Sequence, residues 1–315
     1  MSILTNSWST TLAFPTAANY LLGGLEHNGY LYTFGGGTAV ADVYAARLDG
    51  DHKVLAWTKT SSLPAPLSFP LVLADGVNAL VIGGTTTAGA TVATSYMYAL
   101  GASGASTYTG VQDLAYKAGG GRGCLVKDRD HVVLFGLSAA ADTASLLVHT
   151  ARLQGDGNLG PLHAQVDLPT SLKGFGVASH GNRVYIVGGI SLAGVVQSNI
   201  LMAKMDADGT LTPWTVVAQL PVIRVGCRAA VVEGNKLVVV GGRDVVAVDA
   251  NQANVLSYNI GSDGGLSTSS VVNVMSTSAR DGCLIFSEAR RQLWYVGGLD
   301  DTSTATAAVQ MLSLR

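Results

Sequence analysis

The chain has 315 residues, of which 48% are hydrophobic and only 13% are charged, and its formal net charge at pH 7 is −2. Because so small a balance creates no broad positive field, the composition argues against a nucleic-acid partner and against attraction to an anionic membrane. No apolar run approaches the roughly 18 residues of a membrane span. The first residues also lack the basic and apolar segments of a secretory signal, so we expect neither a span nor a signal.

The N-terminal residues carry a spacing that returns later in the chain. Trp8 and Pro15 are seven positions apart, as are Trp214 and Pro221 at the end of a later repeat. The chain consists of six repeats, and each repeat is predicted to form one four-stranded blade of a ring. The last repeat has no fourth strand of its own. We therefore predict that residues 1–15 form the outer strand of the last blade, so that the two ends of the chain pair and close the ring without an exposed edge.

A glycine-containing pair ends a short apolar run six times along the chain, and the first glycines lie 48 to 56 residues apart. The pairs are Gly35-Gly36, Gly83-Gly84, Gly136-Leu137, Gly188-Gly189, Gly241-Gly242 and Gly297-Gly298. A repeat of about 50 residues with β-rich segments is typical of propellers built from four-stranded blades. The sequence predicts an all-β, six-bladed β-propeller of antiparallel blades that occupies residues 1–315 as a single domain. The predicted blades are approximately 16–64, 65–115, 116–169, 170–221, 222–276 and 277–315.

The fourth repeat shows the predicted strand order. Strands are expected over 174–178, 183–187, 198–205 and 214–220. Gly and Asn at 180–182 mark the first hairpin turn, Asp and Gly at 206–209 mark the second, and Pro221 ends the repeat. The fully apolar run at 237–240 in the fifth repeat predicts inner strands that neighbouring blades cover on both faces.

The three cysteines precede their glycine pairs by 12 to 14 residues each. They are Cys124, Cys227 and Cys283, and we expect them at one equivalent position in three blades. Because equivalent positions lie far apart around a ring, the pattern predicts buried, reduced thiols that act as small apolar residues.

At this point the repeats resemble those of the kelch family. The segments 223–227 and 235–242 look like the first two kelch strands, and Trp214 with Leu220-Pro221 looks like the Trp and Leu-Pro marks of that repeat. The segment 203–214 is similar to the longer kelch-like repeats of bacterial surface proteins and bacteriophage tail proteins. The resemblance covers nearly the whole chain and implies the propeller fold. It implies no chemistry, because the family includes copper radical oxidases, sialic acid epimerases, glycan binders and protein-interaction scaffolds.

Cations recur in the predicted loops before the first strands. They are Arg122, Lys173, Arg224 and Arg280. In propellers these loops share a face with the loops between second and third strands, so the four cations are candidates for a ligand site at the channel mouth. A guanidinium fork suits a carboxylate, which points to a sugar acid or an acidic side chain of a partner. The alternative is that each cation pairs with an acid such as Asp113, Asp244 or Asp281 and ties blades together.

The loops between second and third strands combine small and aliphatic residues that solvated loops do not require. The candidate partner-contact residues are Val40, Val92, Val195, Val196, Val245 and Val246. Such a face is typical of a protein interface, although valines of this kind also pack over the blade below.

The residues that acid–base or metal chemistry requires are scattered. The six histidines form no cluster with ligand spacing, and Glu26, Glu233 and Glu288 lie near turns on the opposite face. Asp206 and Asp208 fall in an Asp-Gly turn that accounts for both, with a weak calcium site as the alternative. We therefore predict no catalytic residue, metal or cofactor.

These patterns favour a non-enzymatic structural or adhesive module of a larger assembly. We expect it in a bacteriophage virion, as a tail or capsid-associated protein that binds other subunits of the particle or a surface glycan or protein receptor through its loops. The alternatives are a cytoplasmic binding module and a carbohydrate-active enzyme or sugar-acid binder of the sialate epimerase-like kelch type.

Overall fold

The computed structural model describes residues 7–16, 20–114, 118–137, 145–245 and 250–314. These residues form 28 strands and one turn of 3-10 helix, Lys127–Arg129, and they contain no α-helix. Accordingly, no helix of the described residues is long and apolar enough to cross a membrane.

The strands of the first three blades follow a short N-terminal strand. The strand β1 is Ser9–Thr10. Blade 1 contains β2 (Gly23–His27), β3 (Tyr30–Phe34), β4 (Val40–Leu48) and β5 (Val54–Leu67). Blade 2 contains β6 (Leu71–Asp75), β7 (Asn78–Ile82), β8 (Thr94–Leu100) and β9 (Ser106–Asp113). Blade 3 contains β10 (Ala118–Val126), β11 (His131–Leu137), β12 (Val148–Arg152) and β13 (His163–Ala164).

The last three blades include two small accessory sheets. Blade 4 contains β14 (Leu172–Lys173), β15 (Gly176–His180), β16 (Arg183–Val187), β17 (Ile190–Ser191), β18 (Asn199–Lys204) and β19 (Thr215–Gln219). Blade 5 contains β20 (Arg228–Val232), β21 (Lys236–Val240), β22 (Arg243–Asp244), β23 (Ala250–Asn251), β24 (Asn254–Asn259) and β25 (Ser270–Val274). Blade 6 contains β26 (Cys283–Ser287), β27 (Gln292–Val296) and β28 (Val309–Ser313). The pairs β14–β17 and β22–β23 are the accessory sheets.

Six four-stranded antiparallel sheets confirm the predicted six-bladed propeller, and the N-terminal strand closes it. The last sheet has the order β1-β28-β27-β26, with Ser9 opposite Met311 and Thr10 opposite Gln310. Trp8 and Phe14, on either side of β1, are buried in the clusters that the last blade shares with blades 5 and 1. The prediction that the two chain ends pair is therefore confirmed.

The hydrophobic core lies between blades, where it also contains polar links. In blades 1 and 4, a tyrosine of the second strand reaches the turn between the third and fourth strands of the next blade. Tyr32 donates to the Gly101 carbonyl at 3.1 Å, and Tyr185 donates to the Gly264 carbonyl at 3.0 Å. Because each link satisfies a buried hydroxyl, it fixes the spacing of adjacent blades as well as closing the core.

The glycine pairs end the second strands because the chain turns there in a conformation that side chains disfavour. At Gly188 and Gly189 the φ angles are 63° and 96°. A Cβ on Gly188 would come 2.5 Å from the carbonyl oxygen of Arg224, so the backbones approach too closely for any side chain.

The cysteines are buried and free, but they do not share one position. Cys283 is the first residue of β26, Cys227 precedes β20, and Cys124 lies well inside β10. The predicted equivalence is wrong because the first hairpin turns differ in length and because the cysteines differ in their distance from the glycine pair. Burial raises the pKa of the Cys124 and Cys283 thiols to about 12, so both stay protonated at neutral pH.

Candidate binding site at the channel mouth

A cavity of about 420 Å³ lies at the channel end where the first strands begin. Residues before the first strands meet residues after the glycine pairs there, through the antiparallel bridges Lys173 to Ile190, Val225 to Arg243 and Arg280 to Leu299. All six of these residues line the cavity. The wall is therefore a set of short backbone ladders, which hold their side chains more firmly than open loops would.

A series of backbone hydrogen bonds runs along five of the six blades at this mouth. The amide of Phe69 donates to Leu21 at 2.8 Å, Leu21 to Asp281 at 2.8 Å, Asp281 to Gly226 at 2.9 Å and Gly226 to Gly174 at 2.7 Å. All five residues have positive φ, between 55° and 73°. We call these five residues the collar. They join blades 2, 1, 6, 5 and 4 in one series of main-chain hydrogen bonds, so five of the six blades are tied together at the mouth.

Three of the four predicted cations line the cavity, and a fourth lining cation was missed. Arg122, Lys173 and Arg280 are joined by Arg243, and Asp281 is the one acid among the described residues that line it. Arg243 directly follows the Gly241-Gly242 pair, so the residue after each pair was the available sequence signal. Four cationic side chains and one described acid therefore line the mouth, although the whole chain is slightly acidic.

Arg224 does not line the mouth. Its side chain is buried, with 1% of the residue exposed, and Nη1 donates to the carbonyl of Gly241 at 3.0 Å and to that of Asn254 at 2.8 Å. Arg224 immediately precedes the bridge residue Val225, so its side chain takes the opposite direction. It ties together backbone segments within its own blade, and the carbonyl oxygens take the place of the acid that was expected.

Arg280 lines the cavity and also joins blades 5 and 6. It donates to Ser303 Oγ at 2.8 Å, to the Asp300 carbonyl at 3.1 Å and to Asn251 Oδ1 at 3.3 Å. The Asp281 carboxylate is 3.8 Å from its Nε. Several N–H donors of Arg280 are thus used within the protein. Its main effect on a ligand is therefore its positive charge and not a hydrogen bond.

Arg122 lies within a strand and not in the loop where the sequence placed it. It belongs to β10, opposite Phe135, beyond a register shift that separates it from Ala118. Its side chain is 12% exposed, and Nη2 lies 3.9 Å from Asp281 Oδ1. Burial and then the nearby Arg228 lower the pKa of Arg122, whereas Asp281 opposes them. An arginine remains charged under such conditions, so the cavity contains a poorly compensated cation.

The predicted contact valines divide into exposed and packed residues. Val195 is 57% exposed and Val245 is 38% exposed, whereas Val196 is buried. Val40 and Val92 are half-buried, and Val92 packs on the core shared by blades 1 and 2. The remaining candidate, Val246, lies outside the described residues.

The acids that could serve proton transfer lie elsewhere or are occupied. Glu26 pairs with Arg290 at 2.9 Å, and Glu233 pairs with Lys236 at 3.0 Å. Asp208 accepts from the Thr210 amide at 3.0 Å, which is the turn geometry that the sequence predicts. Among the described residues, no three His, Cys, Asp or Glu side chains are grouped so as to hold a metal ion.

The architecture and the four cations that line the mouth together define a six-bladed β-propeller with a candidate anion-binding face. The solved structure of YjhT is similar to it over 97% of each chain, with a TM-score of 0.70 and 13% sequence identity. This likeness shows the shared fold alone. No protein-family model and no curated protein matches the chain.

Proposed function

We propose that the protein is a non-enzymatic binding module that takes a carboxylate of its partner into the channel mouth. The observation that carries this proposal is the excess of Arg122, Lys173, Arg243 and Arg280 over the single described lining acid, Asp281. Cations held on backbone ladders in a partly enclosed cavity favour an oxyanion, because little charge reorganisation is needed when it enters.

Exposed aliphatic side chains beside the mouth support a protein as the partner. Leu192 is 73% exposed, and Leu146, Leu147, Val195 and Val245 are exposed on the same face. They belong to blades 3, 4 and 5, so this apolar crescent lies on one side of the cationic cavity. A partner surface with one acidic side chain and adjacent apolar residues fits both features.

The assembly we propose for this module is a bacteriophage virion, with a cytoplasmic complex as the alternative. The phage-like third-to-fourth strand segments and the apolar crescent support it. Sedimentation with light scattering in the native source tests it. A megadalton particle that retains the chain is the expected result, and a free species of 32.3 kDa would overturn the virion assignment.

A sugar-acid ligand is the second candidate, because a cavity of about 420 Å³ is large enough for one monosaccharide. An epimerase-type reaction also needs an acid or base beside the bound sugar, and Asp281 is the described residue in that place. Conversion of a sugar acid that disappears in Asp281→Asn but not in Arg47→Gln would favour the enzyme over the binding module.

The binding test compares two double variants. Lys173→Gln with Arg243→Gln removes two mouth charges, whereas Arg47→Gln with Arg152→Gln removes two exposed charges from third strands of blades 1 and 3. Calorimetry with an acidic peptide and with N-acetylneuraminate as probes should show at least tenfold weaker binding in the mouth variant only. Equal binding by both variants would overturn the mouth as the site.

A further inference from the structure

Arg122 and Arg228 occupy the same strand position in blades 3 and 5. Arg122 pairs with Phe135, which directly precedes the glycine pair of blade 3. Arg228 pairs with Val240, which directly precedes the pair of blade 5. The sequence obscures this equivalence, because Arg122 lies two residues before a cysteine and Arg228 directly follows one.

The other four blades have small or apolar residues at this level of the channel. They are Gly23, Leu71, Gly176 and Cys283. All six residues except Gly176 line a second cavity of about 380 Å³ inside the channel. Arg122 also lines the mouth cavity, so it lies at the boundary between the two. Two arginines thus enter a space that the remaining blades leave open.

Within the described part of the chain, the two guanidinium groups have few partners. Arg122 has one ion pair there, with Asp281 at 3.9 Å, which is too long for a hydrogen bond. Arg228 Nη1 makes a long contact of 3.5 Å with the Cys227 carbonyl. Asp281 is shared with Arg280 at 3.8 Å. Arg122 and Arg280 therefore share one carboxylate, and Arg228 adds a further positive charge to the channel.

The pair is also mutually unfavourable. After burial, the like charge of Arg228 has the largest influence on Arg122, and it lowers the pKa of that side chain. Two like charges in a space of reduced solvent access raise the free energy of the empty site. A bound anion removes this repulsion and satisfies the unused donors.

We propose that the channel binds a small tetrahedral dianion, a sulfate or a phosphate group, between Arg122 and Arg228. Two planar donor forks that line one cavity suit the oxygens of such a group, and its charge of about −2 is opposite to the two positive charges of Arg122 and Arg228. The site lies inside the channel, and Lys173 and Arg243 at the mouth are not part of it. Its occupant can be the free ion or the charged group of a small organic phosphate or sulfate.

Calorimetric titration with sodium sulfate at fixed ionic strength tests the proposal. The wild-type protein is expected to show saturable 1:1 binding, and Arg122→Gln and Arg228→Gln should each weaken it at least tenfold. Arg47→Gln and the mouth double variant should retain it, which separates this site from the one under Proposed function. Absence of saturable heat in the wild type, or equal affinity in Arg228→Gln, would overturn the proposal.

Thermal melting in sulfate-free, low-salt buffer gives a second readout that a purely structural arginine would not show. Arg228→Gln is expected to melt at the same temperature as the wild type or above it, because one of two repelling charges is gone. Added sulfate at concentration c should then raise the wild-type Tm as RT ln(1 + c/Kd) requires, and it should raise the Tm of the variant less over the same concentrations. Acetate that binds as tightly as sulfate would contradict the dianion, and glycerol phosphate that binds like sulfate would extend the site to organic phosphates.

Discussion

Glu26 joins the first and last blades at the face opposite the mouth. Its Oε1 accepts from Arg290 Nε at 2.9 Å and from the Gly29 amide at 2.9 Å. Burial raises the pKa of this carboxyl, but hydrogen bonds from Ser287, Gly29 and Arg290 outweigh burial and lower it overall. Because this ion pair links the first and last blades, the charge state of Glu26 affects the stability of their interface.

The pH dependence of unfolding should report this interaction. A carboxyl whose folded pKa lies below its unfolded value adds stability that is complete above the unfolded pKa and is lost as the pH falls through the folded pKa. Between about pH 5 and pH 3 the free energy of unfolding should therefore fall more steeply in the wild type than in Glu26→Gln. Urea titrations across this range measure both slopes, and parallel slopes would show that Glu26 is not the responsible group.

At the scale of elements, the turns between third and fourth strands hold neighbouring blades in place. Gly209 has a φ of 87°, and a Cβ there would overlap the His131 ring of the preceding blade. Gly194 has a φ of 78° in another loop and has no neighbour within 4 Å of such a Cβ. The two glycines therefore share their backbone conformation and differ in packing.

Alanine substitutions at these glycines should separate the cost of backbone strain from the cost of overpacking between blades. Gly194→Ala is expected to cost about 1 kcal/mol from backbone strain alone. Gly209→Ala should cost roughly 3 kcal/mol, because overpacking against His131 adds to the same strain. Urea midpoints measure both losses, and equal losses would mean that the blade contact adds nothing.

The sequence predicts strands and turns better than it predicts the site. Asp206 to Gly209 and the glycine pairs act locally, so they mark the ends of sheets without knowledge of distant contacts. The register at the mouth depends on hairpin length and on which bridge forms, as shown by Val225, which takes the position where Arg224 was expected. The placement of Arg122 and Arg228 at one level of the channel depends on the same register, and the spacing of residues in the sequence does not show it.

The ring as a whole depends on a strand of only two residues. Ser9 and Thr10 pair with β28, and the flanking Trp8 and Phe14 are buried. Truncation of a buried Trp or Phe costs about 3–5 kcal/mol each, and domains are typically stable by about 5–15 kcal/mol. The closing segment therefore contributes a large share of the stability of all six blades.

Deletion of residues 1–15 should lower the melting temperature by well over 10 °C or prevent cooperative folding. A matched deletion of residues 1–6 keeps Trp8, β1 and Phe14 and should melt like the full chain. Calorimetry on both forms provides the comparison. Unchanged melting of the longer deletion would contradict closure by the N-terminal strand.

The collar consists of main-chain amides and carbonyls, and this has a consequence for how the protein can change. The residues that directly precede it, Tyr20, Ser68, Lys173, Val225 and Arg280, already differ in size, polarity and charge. Substitution at these positions changes side chains only, while the collar keeps its main-chain hydrogen bonds. Tyr20, Lys173 and Val225 can therefore be exchanged one blade at a time without loss of a collar bond, whereas Arg280 also joins blades 5 and 6 and Ser68 is buried.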